Sequence, residues 1–162
     1  MARMRLVLYQ PDIPQNTGTI LRLAACLGLA ADIIEPCGFV LTDKRLRRAG
    51  MDYLDALALT RHTSWTAFEA ARTRRLVLLT TRAATPYTAF TFQPEDMLLL
   101  GRESAGVPDA VHAAADARIK IPIRPDQRSL NVAVAAAMVT GEAMRQTGTF
   151  PADADPTYEE LP

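Results

Sequence analysis

The stretch "DMLLLGRESAGVP", residues 96–108, joins a near-continuous apolar run to a polar loop that contains two glycines. Such an apolar run is typical of a strand buried on both faces, as in a parallel sheet. The run "RLVLLTT" (75–81) has the same character. Amphipathic stretches separate these runs along the chain. The sequence therefore predicts an α/β domain with a mostly parallel sheet and helices on both faces.

The predicted elements continue this alternation along the chain. Strands are predicted at 5–9, 31–36, 55–60, 75–81, 96–101 and 117–123. Helices are predicted at 17–29, 42–50, 64–74, 108–115 and 130–147, with Ser64 as the cap of the third helix. We expect residues 1–150 to form a single domain and the acidic, proline-containing residues 151–162 to form a flexible tail.

The composition bounds the class of protein. A chain of 162 residues that is 49% hydrophobic can bury a substantial core. No apolar run approaches the roughly 20 residues that a membrane helix needs. The N-terminal "MARMRLVLYQPD" has too short an apolar run for a signal peptide and is predicted to contain a strand. We therefore expect a cytoplasmic protein with no membrane partner.

The net charge is zero, but it is unevenly distributed. The last twelve residues carry four acids and no base, so residues 1–150 carry 18 basic and 14 acidic residues, a net charge of +4. The segment "DKRLRR" groups Lys44, Arg45, Arg47 and Arg48, and residues 44, 47 and 48 share one face of the predicted helix. This face is either an ordinary solvated surface or a patch that binds nucleic-acid phosphates.

Several common types of site are absent from the sequence. There is no GxG for a dinucleotide fold, no phosphate-binding P-loop and no HExxH metal motif. His62 and His112 lie far apart and lack a Ser or Cys elbow, so a catalytic triad is not predicted. Cys26 and Cys37 have no CxxC spacing, and we expect them to be free, buried thiols. The sequence therefore predicts no metal site.

Three polar loops follow predicted strands: "QPDIPQNTG" (10–18), "GRESAGVP" (101–108) and "RPDQRSLN" (124–131). Ligands of parallel α/β sheets bind at the carboxyl ends of the strands, and each loop precedes a helix whose first N–H groups are free. Taken singly, Asn16 and Ser129 are equally well interpreted as helix caps, and Glu103 as an acid favouring a helix N-terminus. Together, the loops predict a binding site.

The motifs in these loops resemble those of a known family. The patterns N-T-G-x-I-x-R (16–22), L-x-G-x-E-x-x-G (99–106) and S-L-N (129–131) resemble the three motifs of the SPOUT RNA methyltransferases. The segments "LYQPDIPQNTGTILRL", "IIEPCGF", "DKRLRRAGMDY" and "TRHTSW" are more narrowly similar to the TrmL (YibK) group, the tRNA (cytidine/uridine-34)-2′-O-methyltransferases. The resemblance runs from about residue 5 to residue 147.

The resemblance implies a deep C-terminal trefoil knot, which the general rarity of knotted chains does not predict. It also implies S-adenosylmethionine as methyl donor, with no metal. The residues that match the family's cofactor site are Leu79, Gly101, Ile121, Ser129 and Leu130. The residues that match its catalytic site are Asn16, Arg22, Glu103 and Asn131.

The resemblance further implies a homodimer in which Arg22 of one subunit faces the cofactor of the other, with tRNA bound by both. The expected reaction is 2′-O-methylation of nucleotide 34, cytidine or 5-carboxymethylaminomethyluridine, in leucine tRNAs. Because a guanidinium normally stays protonated, we expect Arg22 to position the ribose and stabilise the emerging alkoxide, with a role as base left open. The alternatives are another RNA target, a non-catalytic RNA-binding protein and a small-molecule α/β enzyme.

Overall fold

The computed structural model of the chain describes residues 3–42, 44 and 54–152. These residues form a sheet in the spatial order β3-β2-β1-β6-β4-β7-β5, and every neighbouring pair of strands is parallel. The strands are β1 (Arg5–Tyr9), β2 (Ala30–Ile34), β3 (Leu59–His62), β4 (Leu76–Leu79), β5 (Thr85–Pro86), β6 (Met97–Leu100) and β7 (Ala117–Lys120).

Helices cover both faces of this sheet. They are α1 (Pro14–Cys26), α2 (Trp65–Ala71), α3 (Asp109–Ala114) and α4 (Val132–Thr147). One apolar cluster joins α1 and α4 to the sheet, and a second joins Phe68 of α2 and Val111 of α3 to its opposite face. The predicted α/β architecture with a parallel, doubly covered sheet is confirmed. The trefoil knot stays a prediction.

Strand β6 shows why the apolar run of the opening stretch contains no polar residue. It lies between β1 and β4, so both of its edges are paired, and the helices on the two sides of the sheet cover both of its faces. Leu98 and Leu100 belong to the cluster beneath α1 and α4, whereas Leu99 belongs to the cluster on the opposite face. Each is almost completely buried, and each such burial contributes roughly 1.5–3 kcal/mol.

The sequence prediction is least accurate at the edges of the sheet. The strand predicted at 55–60 is wrong in its bounds, because Leu54–Ala56 forms a 3-10 turn and the strand is Leu59–His62. Its position is set by pairing with β2, which local periodicity does not report. Strand β5 was not predicted at all, because two residues ending in Pro86 carry no strand pattern.

Other bounds differ for reasons of local chemistry. Helix α1 begins at Pro14, earlier than predicted, because proline is well suited to the first helical position. The last strand ends at Lys120, before Pro122. The predicted cap of the third helix is confirmed, since the Ser64 hydroxyl accepts a hydrogen bond from the Ala67 N–H at 3.1 Å.

The two cysteines are free, as predicted, but Cys26 is exposed at the end of α1, so the expectation that it is buried is wrong. Within the predicted basic helix 42–50, Lys44 is exposed, whereas Arg45, Arg47 and Arg48 lie outside the described residues, as does most of the tail. No helix within the described ranges has the length and apolar character required to cross a membrane.

Candidate active site

A cavity of about 600 Å³ lies beyond the carboxyl ends of the central strands. Its size is within the usual range for small-molecule sites. The loops after β4, β6 and β7 and the start of α1 form its walls. The cavity therefore lies where the sequence placed the binding site, because parallel strands bring their following loops to one edge of the sheet.

Most of the predicted site residues meet in this cavity. All five residues predicted to bind the cofactor line it: Leu79, Gly101, Ile121, Ser129 and Leu130. Three of the four predicted catalytic residues also line it: Asn16, Glu103 and Asn131. Arg22 is not among the described residues that line this cavity, since it lies on the exposed side of α1.

Asn131 connects the last helix to the first. Its Oδ1 accepts hydrogen bonds from the N–H groups of Ala133 (2.9 Å) and Val134 (3.3 Å), so Asn131 is the N-cap of α4. Its Nδ2 donates to Oδ1 of Asn16 at 2.9 Å. The interpretation of Ser129 as the cap is therefore wrong, because Asn131 satisfies the first N–H groups of α4.

The cap interpretation of Asn16 is also wrong. The N-cap position of α1 is Ile13, which gives no side-chain cap, and Asn16 lies within the first turn. Its side chain is thereby left to accept the hydrogen bond from Asn131. These two amides fix the loop before α4 against α1, at the wall of the cavity.

The loop after β6 is a tight turn that depends on glycine. The Arg102 N–H donates to the Gly106 carbonyl at 3.0 Å, and the Gly106 N–H donates to the Arg102 carbonyl at 2.7 Å. A Cβ on Gly101 would lie 3.0 Å from Cα of Gly106, and Gly106 has a φ of +64°. Gly101 therefore permits the close approach of Gly106, and Gly106 adopts a backbone conformation that would strain other residues.

Glu103 contacts Asp12, a residue that the sequence analysis did not select. The Asp12 N–H donates to Oε2 of Glu103 at 2.9 Å. Burial of the carboxyl group raises the pKa of Glu103, and the interaction of its carboxyl group with that of Asp12 raises it further, whereas the hydrogen bond from the Asp12 N–H opposes this rise. The interaction between the two carboxyl groups lowers the pKa of Asp12, and Ser104 and Arg102 lower it further. When the pair carries one proton, that proton therefore lies on Glu103 rather than on Asp12.

Other cavity residues were missed by the sequence analysis. Arg82, Arg128 and His112 line the cavity, and Arg82 forms an exposed ion pair with Asp109 at 3.0 Å. Arg82 follows the apolar run at 75–81 directly, so its place after a predicted strand was a usable signal. Arg128 lies in the quoted loop 124–131. His112 gave no such signal, because it comes from the middle of a short helix.

The cavity has the composition expected for an adenosine-containing ligand. Leu79, Ile121 and Leu130 offer apolar surface for a planar base, and Leu130 is partly exposed, which leaves its side chain accessible. The backbone around Gly101 and Ser129 offers hydrogen-bonding groups beside this surface. Within the described ranges, no group of three or more His, Cys, Asp or Glu residues is placed to hold a metal ion. The residues present therefore fit S-adenosylmethionine.

Residues 3–141 match the model of the SpoU rRNA Methylase family. The chain belongs to the SpoU methylase family. A relative from Beijerinckia indica subsp. indica, named tRNA (cytidine(34)-2′-O)-methyltransferase, is 69% identical over 148 residues, which cover 90% of this chain and 92% of the relative. The predicted resemblance to the SPOUT 2′-O-methyltransferases is confirmed.

Solved structures of methyltransferases have the same fold. A structure described as giving insights into the 2-OH methylation of C/U34 on tRNA superimposes with a TM-score of 0.83 at 42% identity, covering 90% of this chain and 96% of the other. An AdoMet-bound rRNA methyltransferase from Sinorhizobium meliloti gives a TM-score of 0.79 at 25% identity, covering 88% of this chain and 56% of the other. A methyltransferase with this fold therefore binds the methyl donor that was predicted from the sequence.

Proposed function

We propose that this SpoU methylase transfers a methyl group from S-adenosylmethionine to the ribose 2′-oxygen of nucleotide 34 in tRNA. The observation that carries the proposal is the meeting of the three family motifs at one cavity, through Asn16, Gly101 and Asn131. The names of the relatives support the position of the target nucleotide. We further propose leucine tRNAs as substrates, with cytidine or 5-carboxymethylaminomethyluridine as the modified base.

The methyl donor, when bound, supplies an activated methyl group on a positively charged sulfur. The protein has to hold this donor and align the 2′-oxygen with it. We propose that Leu79, Ile121 and Leu130, which line the cavity, contact the adenine, and that the backbone at Gly101 and Ser129 forms hydrogen bonds with the nucleoside. The Asn16–Asn131 hydrogen bond holds the loop that carries three of these residues, Ile121, Ser129 and Leu130.

We propose that Arg22 acts on the RNA rather than on the cofactor. Its guanidinium would hold the target ribose and the adjacent phosphate and stabilise negative charge that develops on the 2′-oxygen. Arg22 is exposed and does not line the cavity formed by the described part of its own chain. This placement supports a site completed by a second copy of the chain.

We accordingly propose a homodimer formed through α1 and α4. These two helices pack together on one face of the sheet. Val134 and Met138 lie one helical turn apart on α4 and are 52% and 40% exposed, so they form an apolar strip beside the helix that carries Arg22. Exposed apolar side chains in one strip are typical of an interface between subunits.

The test is mass spectrometry of leucine tRNA after incubation with the protein and S-adenosylmethionine. We expect a mass increase of one methyl group, located by nuclease mapping at the ribose of nucleotide 34. A tRNA transcript with deoxyribose at position 34 is the matched control, because it lacks only the acceptor oxygen. Methylation at another nucleotide would contradict the proposed position. Absence of methylation on any RNA would contradict enzymatic activity.

A further inference from the structure

Asp12 contacts three residues of the loop after β6, two through its side chain and one through its main chain. The Ser104 hydroxyl donates to Oδ2 of Asp12, and Nε of Arg102 lies 3.3 Å from the same oxygen. The Asp12 main chain donates to Glu103. These contacts join the loop after β1 to the loop after β6, although the residues are about ninety positions apart in the chain.

A third loop is built around Asp12. The Gly38 N–H donates to the carbonyl of Pro11 at 2.9 Å. A Cβ on Gly38 would lie only 2.5 Å from Cβ of Asp12. Because glycine is the residue that permits this approach, the loop after β2 closes over Asp12 and limits its access to water. The side chain of Asp12 is accordingly only 18% exposed.

One oxygen of Asp12 is left without a partner by these contacts. Oδ1 is buried and accepts no hydrogen bond from a protein donor in the described residues. A buried carboxylate oxygen without a donor costs free energy. The neighbouring Glu103 carboxyl group supplies a donor if it is protonated, and two carboxyl groups hydrogen-bond to each other only when one of them carries a proton.

We propose that Asp12 is a positioning residue that keeps Glu103 as a neutral carboxylic acid at the wall of the cavity, by accepting a hydrogen bond from it. The negative charge of the pair then lies on Asp12, where Arg102 and Ser104 stabilise it. The wall facing the ligand presents an uncharged acid. The proton on Glu103 requires no second subunit and no bound ligand.

The charged and titratable groups around the pair are consistent with this assignment. Arg102 lies on the Asp12 side of the pair. Cys37 faces the pair from the loop after β2, and burial, followed by the charge of Glu35, raises its pKa to about 11, so it remains an uncharged thiol at neutral pH. Arg61 pairs with Glu35 at 2.5 Å. Arg82, Arg128 and His112 line other parts of the cavity.

The consequence for methyl transfer rests on the proposed function. The methyl donor is positively charged and loses that charge in the reaction. An ionised Glu103 on the cavity wall would stabilise the charged starting state more than the transition state, which raises the barrier. It would also repel the phosphates of a bound RNA. A neutral Glu103 avoids both effects and still offers a carbonyl oxygen as a hydrogen-bond acceptor.

The protonation of Glu103 is measurable without any ligand. The probe is infrared spectroscopy of protein labelled with ¹³C-glutamate, in which the carbonyl band of a protonated carboxyl group is followed as pH is raised, and Glu103→Gln identifies the band that belongs to Glu103. In the wild type we expect this band to disappear at a pH above the ordinary glutamate value of about 4.3. In Asp12→Asn we expect the midpoint to fall by about one pH unit, since the ionised acceptor is gone.

A wild-type midpoint at or below the ordinary glutamate value would overturn the proposal, as would an unchanged midpoint in Asp12→Asn. Should Asp12→Asn fail to fold, Ser104→Ala is the second variant, because Ser104 is exposed and its hydroxyl stabilises the charge on Asp12. Because the ionised Asp12 then has one donor fewer and accepts more strongly from Glu103, we expect the midpoint to rise above the wild-type value, and a fall would overturn the proposal.

The functional readout is the pH profile of single-turnover methyl transfer. A neutral Glu103 is present below its raised pKa and is lost as pH rises through it. Asp12→Asn should therefore move the loss of rate to lower pH, whereas a purely structural role for Asp12 would reduce the rate equally at all pH values. If the protein methylates no RNA, the proposed function fails, but the infrared titration still decides the state of Glu103.

Discussion

Arg22 is the predicted catalytic residue that the fold separates from the others. Asn16 lies on the same helix and lines the cavity, but Arg22 is six residues further along α1 and on its exposed side. Six residues correspond to about 9 Å along a helix and to a different face. The motif that joins Asn16 to Arg22 therefore serves two surfaces, the cavity wall and the outer face of α1.

We expect Arg22→Ala to reduce single-turnover methyl transfer by about 100-fold or more, because one preorganised donor to a developing oxyanion contributes that much. The affinity for S-adenosylhomocysteine in calorimetry should remain near that of the wild type, since Arg22 does not line the cavity of its own chain as far as the structure describes it. Equal losses in rate and in cofactor affinity would contradict the assigned role.

Asn131 has two separable roles, and two substitutions distinguish them. Asn131→Ala removes the cap of α4, which costs about 1 kcal/mol, and also the hydrogen bond to Asn16. Asn131→Asp keeps an oxygen that caps α4 but removes the donor to Asn16. We expect urea unfolding to show a clear loss of stability for Asn131→Ala and a smaller one for Asn131→Asp.

Cofactor affinity should fall in both Asn131 variants, because both release the loop before α4 from α1. The matched control is Asn16→Ala, which removes the acceptor and leaves the cap intact. Wild-type affinity in Asn16→Ala together with reduced affinity in Asn131→Asp would show that the hydrogen bond between the two amides does not position this loop.

At the scale of elements, the predicted basic helix at 42–50 is the segment assigned to RNA. Lys44 is exposed, and Arg45, Arg47 and Arg48 lie outside the described residues, so the role of the segment stays a prediction. The mouth of the cavity is also basic, through Arg82 and Arg128. Two basic surfaces in a chain of zero net charge are possible because acids are concentrated in the last twelve residues.

Replacing Arg45, Arg47 and Arg48 by alanine should weaken tRNA binding and flatten its dependence on salt. Each phosphate contact that is lost reduces the slope of log affinity against log salt by about 0.9. The measurement is filter binding or fluorescence anisotropy over a range of salt concentrations. A triple substitution of Arg72, Arg74 and Arg75 is not a suitable control. Arg72 forms an ion pair with Asp116, and Arg75 forms one with Asp96, so their replacement would also break contacts within the fold.

A suitable control for this experiment is Arg145→Ala. Arg145 is exposed on α4 and pairs only with the adjacent Glu142 among the contacts described. Its replacement should leave both the affinity and the salt dependence unchanged. An unchanged slope in the triple variant would exclude the 44–48 segment from phosphate contacts.

At the scale of the whole molecule, the site is expected to require two chains. Arg22→Ala removes the arginine that is proposed to complete the site of the partner subunit. Leu130→Trp instead fills the cavity of its own chain with a bulky side chain. We expect each variant alone to be inactive. Co-expression yields mixed dimers in which one of the two sites is intact, so about one quarter of the wild-type rate should return.

The control for this complementation is mixing two preparations of the same variant, which should restore nothing. Leu130→Trp is first checked by calorimetry for loss of cofactor binding. A mixture that remains inactive, in a protein that light scattering shows to be dimeric, would contradict the sharing of Arg22 between subunits. A monomeric mass in light scattering would contradict the dimer itself.

The sequence alone determined the class of fold and the place of the site. The apolar runs at 75–81 and 96–101 contain no polar face, and that pattern is typical of a strand covered on both sides. Parallel strands then require the following loops to share one edge, which brought the motif residues to one cavity. The prediction failed at β3 and β5, where pairing with a neighbouring strand decides the bounds.

Only the tertiary structure decided which side chains in those loops contact each other. The pairs Asn16–Asn131 and Asp12–Glu103 are separated by 115 and 91 residues, so no local pattern reports them. Taken singly, Asn16 and Ser129 were equally well interpreted as caps, because local chemistry allows it. The periodicity of a sequence indicates which residues are buried. The hydrogen-bond partner of a side chain, and the carboxyl group with which it shares a proton, depend instead on which strands are neighbours in the folded sheet.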